Sequence, residues 1–357
     1  MIYIDNAATT KPKPEVVEAI TKCLTDTWGN PSSSHSFGRD ARAIVENSRN
    51  IIAKFIGASP SEIIFTSGAC ESNSHAICGY LKNNNYKLIT TQIEHKSIIN
   101  IADEYNNRTT IVPVDAKGFV DMLALEAALE HRPHLVSIQY ANNEIGTVQN
   151  IKEISKLVHS YGCLLHTDAT QIIPDRKINV KGIDMMSFSG QKFGAPKGIG
   201  VLYVRKNIEL SPIIYGSQEK SRRGGTENVP YIAGIAAAIN SIKYPTSELR
   251  DYFVDKVLES INDCYLVGCE CDESRLNNNA SICFNGVKGE TILLMLSQKE
   301  IYVSVGSACN NNANSYVLDA IGVPSDSVVR FTFDNNTKEE VDIVVNELIK
   351  IINLLRR

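Results

Sequence analysis

The chain of 357 residues is too long for one simple core, and its 43% hydrophobic content supplies the apolar surface for two without staples. A formal net charge of −4 argues against a protein that neutralises nucleic-acid phosphates, because that task needs clustered Lys and Arg and Arg222-Arg223 is too short a run. No apolar run approaches bilayer length, and nine scattered cysteines follow an opening, Met1-Ile2-Tyr3-Ile4-Asp5, without a basic-then-apolar leader, so the expectation is a soluble cytoplasmic chain with reduced thiols.

Pro14 suits the first turn of a helix over 15–24. Ile44, Val45, Ser48, Ile51, Ile52 and Phe55 recur at helical spacing and form one face of a second helix, which Gly57 ends. Mostly apolar, β-branched runs at 62–66, 87–91, 110–114, 135–139, 163–166, 185–188 and 200–204 predict strands, separated by helical stretches such as 71–82. This alternation implies an α/β fold with a mostly parallel central sheet covered on both faces and chemistry at the carboxyl ends of its strands. Near Tyr244-Pro245 the texture changes to helix, strand, helix, strand and helix, a smaller α+β unit. Its last helix opens with Thr337 and Glu340 at capping-box spacing and runs through Val341, Val344, Val345, Leu348, Ile352 and Leu355. The asparagine-rich patches 83–85, 277–279 and 310–312 read as loops. Cys269-x-Cys271 lacks a second pair at metal-binding spacing, so no metal is expected and the pair reads as structural.

Three runs carry chemistry. The strand leading to His166-Thr167-Asp168 ends in a carboxylate, and the small-residue turn Ser189-Gly190-Gln191-Lys192 follows the next strand with an amine. An amine to join a cofactor aldehyde and an anion to hold a ring nitrogen protonated are what pyridoxal phosphate chemistry needs. Taken singly, a surface lysine and a turn-forming aspartate are the ordinary explanations. The third run, Gly306-Ser307-Ala308-Cys309, sets a thiol between small residues ahead of a polar asparagine stretch, where it is expected to be exposed and mobile.

With Asp5-Asn6-Ala7-Ala8-Thr9-Thr10, Gly29-Asn30-Pro31, Thr66-Ser67-Gly68-Ala69, Glu94-His95, Asn142-Asn143-Glu144-Ile145-Gly146 and Arg223-Gly224-Gly225-Thr226, the chain resembles the cysteine desulfurases of the NifS/IscS type, a branch of the class V aminotransferases. The resemblance runs from Tyr3 to about Glu340 and is weakest between Ile242 and Leu276. It implies a PLP-dependent transferase of fold type I: a large cofactor-binding domain over 15–243, a small domain over 244–357 carrying the Cys309 loop, and a segment 1–14 packing with the small domain. It implies pyridoxal 5'-phosphate as cofactor, joined to Lys192, with Asp168 at the ring nitrogen, Gln171 at the phenolic oxygen and Asn143 near that oxygen and the substrate carboxylate. His95 would stack on the ring and shuttle protons. The phosphate would be held by Ala69, Cys70, Ser189 and Gln191, and by Thr226 of a second subunit in a homodimer. Arg330 would clamp the carboxylate of L-cysteine, a role that would pair a charge otherwise costly in an apolar strand. Cys309 would take the sulfur as a persulfide and hand it to an acceptor protein, with alanine released. The sequence departs from the family pattern at Cys70, usually threonine, and at Gln191, usually histidine. A selenocysteine lyase, an aminotransferase of the same class, and a sulfur-carrier scaffold with weak catalysis are the alternative readings.

Overall fold

The computed structural model describes residues 1–82, 86–131, 134–306 and 315–357. Cys309 and the asparagine patches 83–85 and 310–312 lie outside the described residues. The strands are β1 (Ile2–Tyr3), β2 (Ile63–Thr66), β3 (Leu88–Thr91), β4 (Thr109–Val112), β5 (Leu135–Ser137), β6 (Leu164–Asp168), β7 (Met185–Ser189), β8 (Gly200–Val204), β9 (Cys264–Leu266), β10 (Asn279–Phe284), β11 (Ile301–Tyr302) and β12 (Val328–Thr332). Seven form one sheet in the order β2-β8-β7-β6-β5-β3-β4. These are the seven runs that β-branched composition predicts, within a few residues at each end.

Six of the seven strands are parallel, while β8 runs antiparallel to both β7 and β2. The reason lies in the 190–199 link. A parallel crossover needs about a dozen residues or more, usually with a helix, and this link is shorter, so β8 turns straight back beside β7. Lys192 therefore sits on a tight return at the carboxyl end of β7, beside the carboxyl end of β6, to which β7 is paired.

Helix α1 (Pro14–Thr25) has Pro14 in its first turn, where a missing N–H costs nothing. Helix α2 (Ser36–Ile56) buries Val45, Ser48, Ile52 and Ile56 and ends at Gly57, whose φ of 74° is a left-handed cap. Helices α3 (Ala69–Leu81) and α4 (Lys96–Glu104) follow β2 and β3. The core under α1 and α2 joins Val16, Val45 and Ile52 to Leu165, Phe188 and Val201 of the sheet.

A second sheet, ordered β12-β10-β9, is antiparallel and packs under the helices Glu248–Ser260 and Lys338–Leu355. Phe253, Ile282, Phe331, Val344 and Leu348 fill its core, and Ile2 and Ile4 join them because β1 pairs in parallel with β11. Thr337 and Glu340 make both bonds of the capping box. The five-element pattern expected after Tyr244 is too sparse, since β9, β11 and the short helix Tyr316–Ala320 are also present. The loop reading of 277–279 also needs correction at Asn279, which is buried and opens β10. Its side chain packs against Gly146, where φ is 77° and a Cβ would lie 2.6 Å from Asn279 Oδ1. Across-chain packing of this kind satisfies a polar residue that composition alone assigns to solvent.

Candidate active site

Asp168 is the last residue of β6 and is 7% exposed. Its Oδ2 accepts from Asn73 Nδ2 at 2.7 Å and its Oδ1 from the Thr170 amide at 2.9 Å. Asn73 comes from α3, one turn after Ala69, so one helix both faces the strand ends and orients the carboxylate. Lys192 Nζ donates to the Ala7 carbonyl at 2.7 Å and the Ala8 carbonyl at 2.6 Å. Gln171 Nε2 reaches the same Ala7 carbonyl at 3.2 Å. The N-terminal run thus lies against the lysine and the glutamine together. Thr10 fixes it there, donating to the Gln191 carbonyl from both its amide and its hydroxyl at 2.9 Å and accepting from Gly194 N.

The N-terminus of α3 has Gly68 as its N-cap and no side-chain cap, so it presents backbone N–H donors and the positive end of the helix dipole. Ala69 is half-buried and Cys70 exposed in this first turn. Ser189, at the end of β7, faces it: a Cβ built on Gly68 would lie 4.0 Å from Ser189 Oγ and meet nothing nearer. Behind this turn, Gly200 backs directly onto Gly68, and a side chain there would lie 2.6 Å from Gly68 Cα. Only glycine permits that approach. Gln191 is half-buried on the Lys192 return. Thr226 is exposed, three residues beyond Arg223, whose Nε pairs with Glu71 of α3 at 2.8 Å.

Arg330 occupies the centre of β12 and is 3% exposed. Its Nη1 donates to the Asn143 carbonyl at 3.0 Å and its Nη2 to Asp5 Oδ1 at 2.8 Å, while its buried Nε has no partner. The charge expected to need a partner has one, supplied from the N-terminal run. Next to Asn143, buried Glu144 accepts from Ser315 Oγ at 2.5 Å, and burial raises its carboxyl pKa. Ser315 and Gly306 are the described residues on either side of the run that holds Cys309.

His95 caps α4 through Nδ1, which meets the Ser97 amide at 3.1 Å and the Ser97 hydroxyl at 2.8 Å. Burial lowers its pKa, opposed by the Asp168 charge and reinforced by the Lys192 charge. The ring is therefore neutral near pH 7 and can accept a proton. Deeper in the sheet His166 is fully buried, its ring nitrogens on Ser137 Oγ at 2.8 Å and Ser187 Oγ at 2.9 Å. Burial lowers His166 and His75 from 6.5 to about 4. Both must charge in the unfolded chain near 6.5 but resist doing so in the fold, so stability is present above 6.5 and lost as pH falls through about 4. Glu94 acts in the opposite sense. Burial pushes its carboxyl up to about 8, and its contribution is intact below 4.5 and lost as pH rises through 8. The expected result is a urea unfolding midpoint that drops as pH is lowered from 7 to 4, with the two histidines removing up to about 3 kcal/mol each and Glu94 returning part of that loss. A midpoint that stays level over that range would contradict it.

Asn73, Ser97, Glu94, His166 and Asp5 are site residues that sequence reasoning missed as such. For Asn73 a signal existed, since it lies one helical turn beyond Ala69 and so on the same face. For the others only the packing reveals the partner.

The aminotransferase class-V family model matches residues 2–344. A cysteine desulfurase IscS of Dictyoglomus turgidum is 42% identical, the match covering 99% of this chain and 95% of the relative. A cysteine desulfurase IscS of Methanosarcina thermophila is 38% identical over 99% of this chain and 93% of its own. Among solved structures, a NifS-like protein superposes with a TM-score of 0.92 at 32% identity over 99% of both chains. A structure described as SspA in complex with cysteine gives 0.82 at 33% identity, over 93% of this chain and 99% of that one. With the sheet, the lysine return and the matches agreeing from end to end, the chain belongs to the class-V aminotransferase family, within its NifS/IscS-type cysteine desulfurases.

Proposed function

We propose that the protein is a pyridoxal 5'-phosphate-dependent cysteine desulfurase that converts L-cysteine to L-alanine and retains the sulfur as a persulfide on Cys309. The observation that carries this reading is the lysine return after β7 set beside the carboxylate that ends β6, with the uncapped N-terminus of α3 facing Ser189. Those residues fit the cofactor: amides and a hydroxyl for a phosphate, a carboxylate with lone pairs to spare for a ring nitrogen, and an amine for an aldehyde.

In this reading Ala69, Cys70, Ser189 and Gln191 hold the phosphate, Asp168 the ring nitrogen, and Gln171 and Asn143 the phenolic-oxygen side, while Lys192 makes the covalent bond. When bound, pyridoxal phosphate supplies an electron sink for the bond broken at the substrate Cα. Lys192 moves the Cα proton, and neutral His95 takes and returns protons beside it. Arg330 orients the substrate carboxylate. The thiolate of Cys309 attacks the substrate sulfur: an S–S bond forms, the Cβ–S bond breaks with its electron pair going to carbon, and Cβ takes a proton to become the methyl group of alanine. The cysteine loop belongs to a small domain over 244–357, joined by segment 1–14, and the cofactor cradle to a large domain over 15–243. A homodimer in which Thr226 completes the neighbour's phosphate site, a sulfur-acceptor protein and a cytoplasmic location complete the proposal. Among the described residues no helix is long and apolar enough to cross a membrane.

The reading is tested by supplying L-cysteine with a reducing thiol and measuring alanine and sulfide, which should appear in equal amounts without an α-keto acid. Asp168→Asn keeps the acceptor for Asn73 but removes the anion, and turnover should fall at least about a hundredfold, the scale of one lost preorganised electrostatic partner. Alanine release near the wild-type rate in that variant would remove Asp168 from the mechanism.

A further inference from the structure

The run Asp5 to Thr10 touches four residues of the proposed site: Arg330, Gln171, Lys192 and Gln191. One of these contacts is between full charges. Arg330 is buried at the centre of β12, and its two terminal nitrogens are already engaged, Nη2 by Asp5 Oδ1 at 2.8 Å and Nη1 by the Asn143 carbonyl at 3.0 Å. An end-on bidentate grip on a carboxylate uses both of those nitrogens. A buried guanidinium without an anion is costly, which explains why the fold provides one. Asp5 is well placed to do so and to let go. Its backbone is fixed, its carbonyl accepting from Tyr3 Oη at 3.1 Å and from the Ala8 amide at 3.0 Å, whereas its side chain is 18% exposed.

Resting on the reading of Arg330 as the substrate-carboxylate clamp, we propose that Asp5 is an internal stand-in for that carboxylate. It keeps the buried guanidinium paired between turnovers and competes with the incoming amino acid for Nη2. Two carboxylates crowded on one guanidinium repel each other, so binding of the amino acid must displace the Asp5 side chain toward water. Asp5 is in this sense a positioning residue that sets substrate affinity rather than the rate of chemistry.

The test compares Asp5→Asn and Arg330→Gln in the cofactor-loaded enzyme. Asp5→Asn keeps the shape and removes the competing charge, and the KM for L-cysteine should fall about tenfold with the change in KM rather than kcat. The Kd for L-alanine, read from the cofactor absorbance, should fall in parallel. The KM for L-cysteine methyl ester, which has no carboxylate charge, should not move. Asp5→Ser carries the same expectation if the asparagine variant does not fold. Arg330→Gln should raise the KM for L-cysteine. If it does not, the clamp reading fails and the stand-in with it. If Arg330→Gln raises KM but neutralising Asp5 leaves KM unchanged or raises it, the clamp stands and the stand-in alone is overturned.

Discussion

Lys192→Ala should abolish turnover, by about a thousandfold or more, because the residue proposed to bond the cofactor and then move the Cα proton is lost in one step. The fold should survive. Lys192 is half-buried, and its removal costs the contacts of Nζ with the Ala7 and Ala8 carbonyls, worth about 1–3 kcal/mol together. Thr10 still ties the N-terminal run to Gln191 and Gly194. The measurement is borohydride reduction followed by digestion, which should find the cofactor attached at Lys192 in the wild type and nowhere in the variant. Full covalent occupancy in Lys192→Ala would pass the role to another amine, with exposed Lys197 the first candidate.

Cys309→Ala should separate the two halves of the reaction. The cofactor-dependent steps need no thiol, so the variant should keep its cofactor absorbance and still change spectrum with L-cysteine, yet release no appreciable alanine and carry no persulfide. The other thiols give this experiment its force. Of the eight cysteines among the described residues, Cys70 and Cys271 are exposed and the rest are wholly or partly buried. Unimpaired alanine production by Cys309→Ala would therefore turn attention to Cys70, which lies in the first turn of α3.

The sheet was legible because most of its strands are short, mostly apolar runs rich in β-branched residues, as at Ile63–Thr66 and Gly200–Val204. The direction of β8 was not, since periodicity reports that a segment is extended and says nothing about which way it runs. It follows instead from the length of the 190–199 link. Asp168 and Lys192 stood out because one ends a strand and the other lies on the turn just after the next parallel strand, where open α/β sheets gather their chemistry. Arg330 was readable as a charge in need of a partner. Its partner, Asp5, lies 325 residues away in sequence, and no local pattern links the two. Glu94 shows the same limit, being an ordinary acid in sequence and, in the fold, a fully buried carboxyl whose pKa burial pushes up to about 8 against the hydrogen bonds it accepts from Thr91 and Gln139.

The most direct test of the account follows the sulfur atom. After a single exposure of the cofactor-loaded enzyme to L-cysteine without reductant, the peptide containing Cys309 should gain one sulfur atom in step with an equal amount of alanine. Alanine without added sulfur on that peptide, or an α-keto acid in place of alanine, would contradict it.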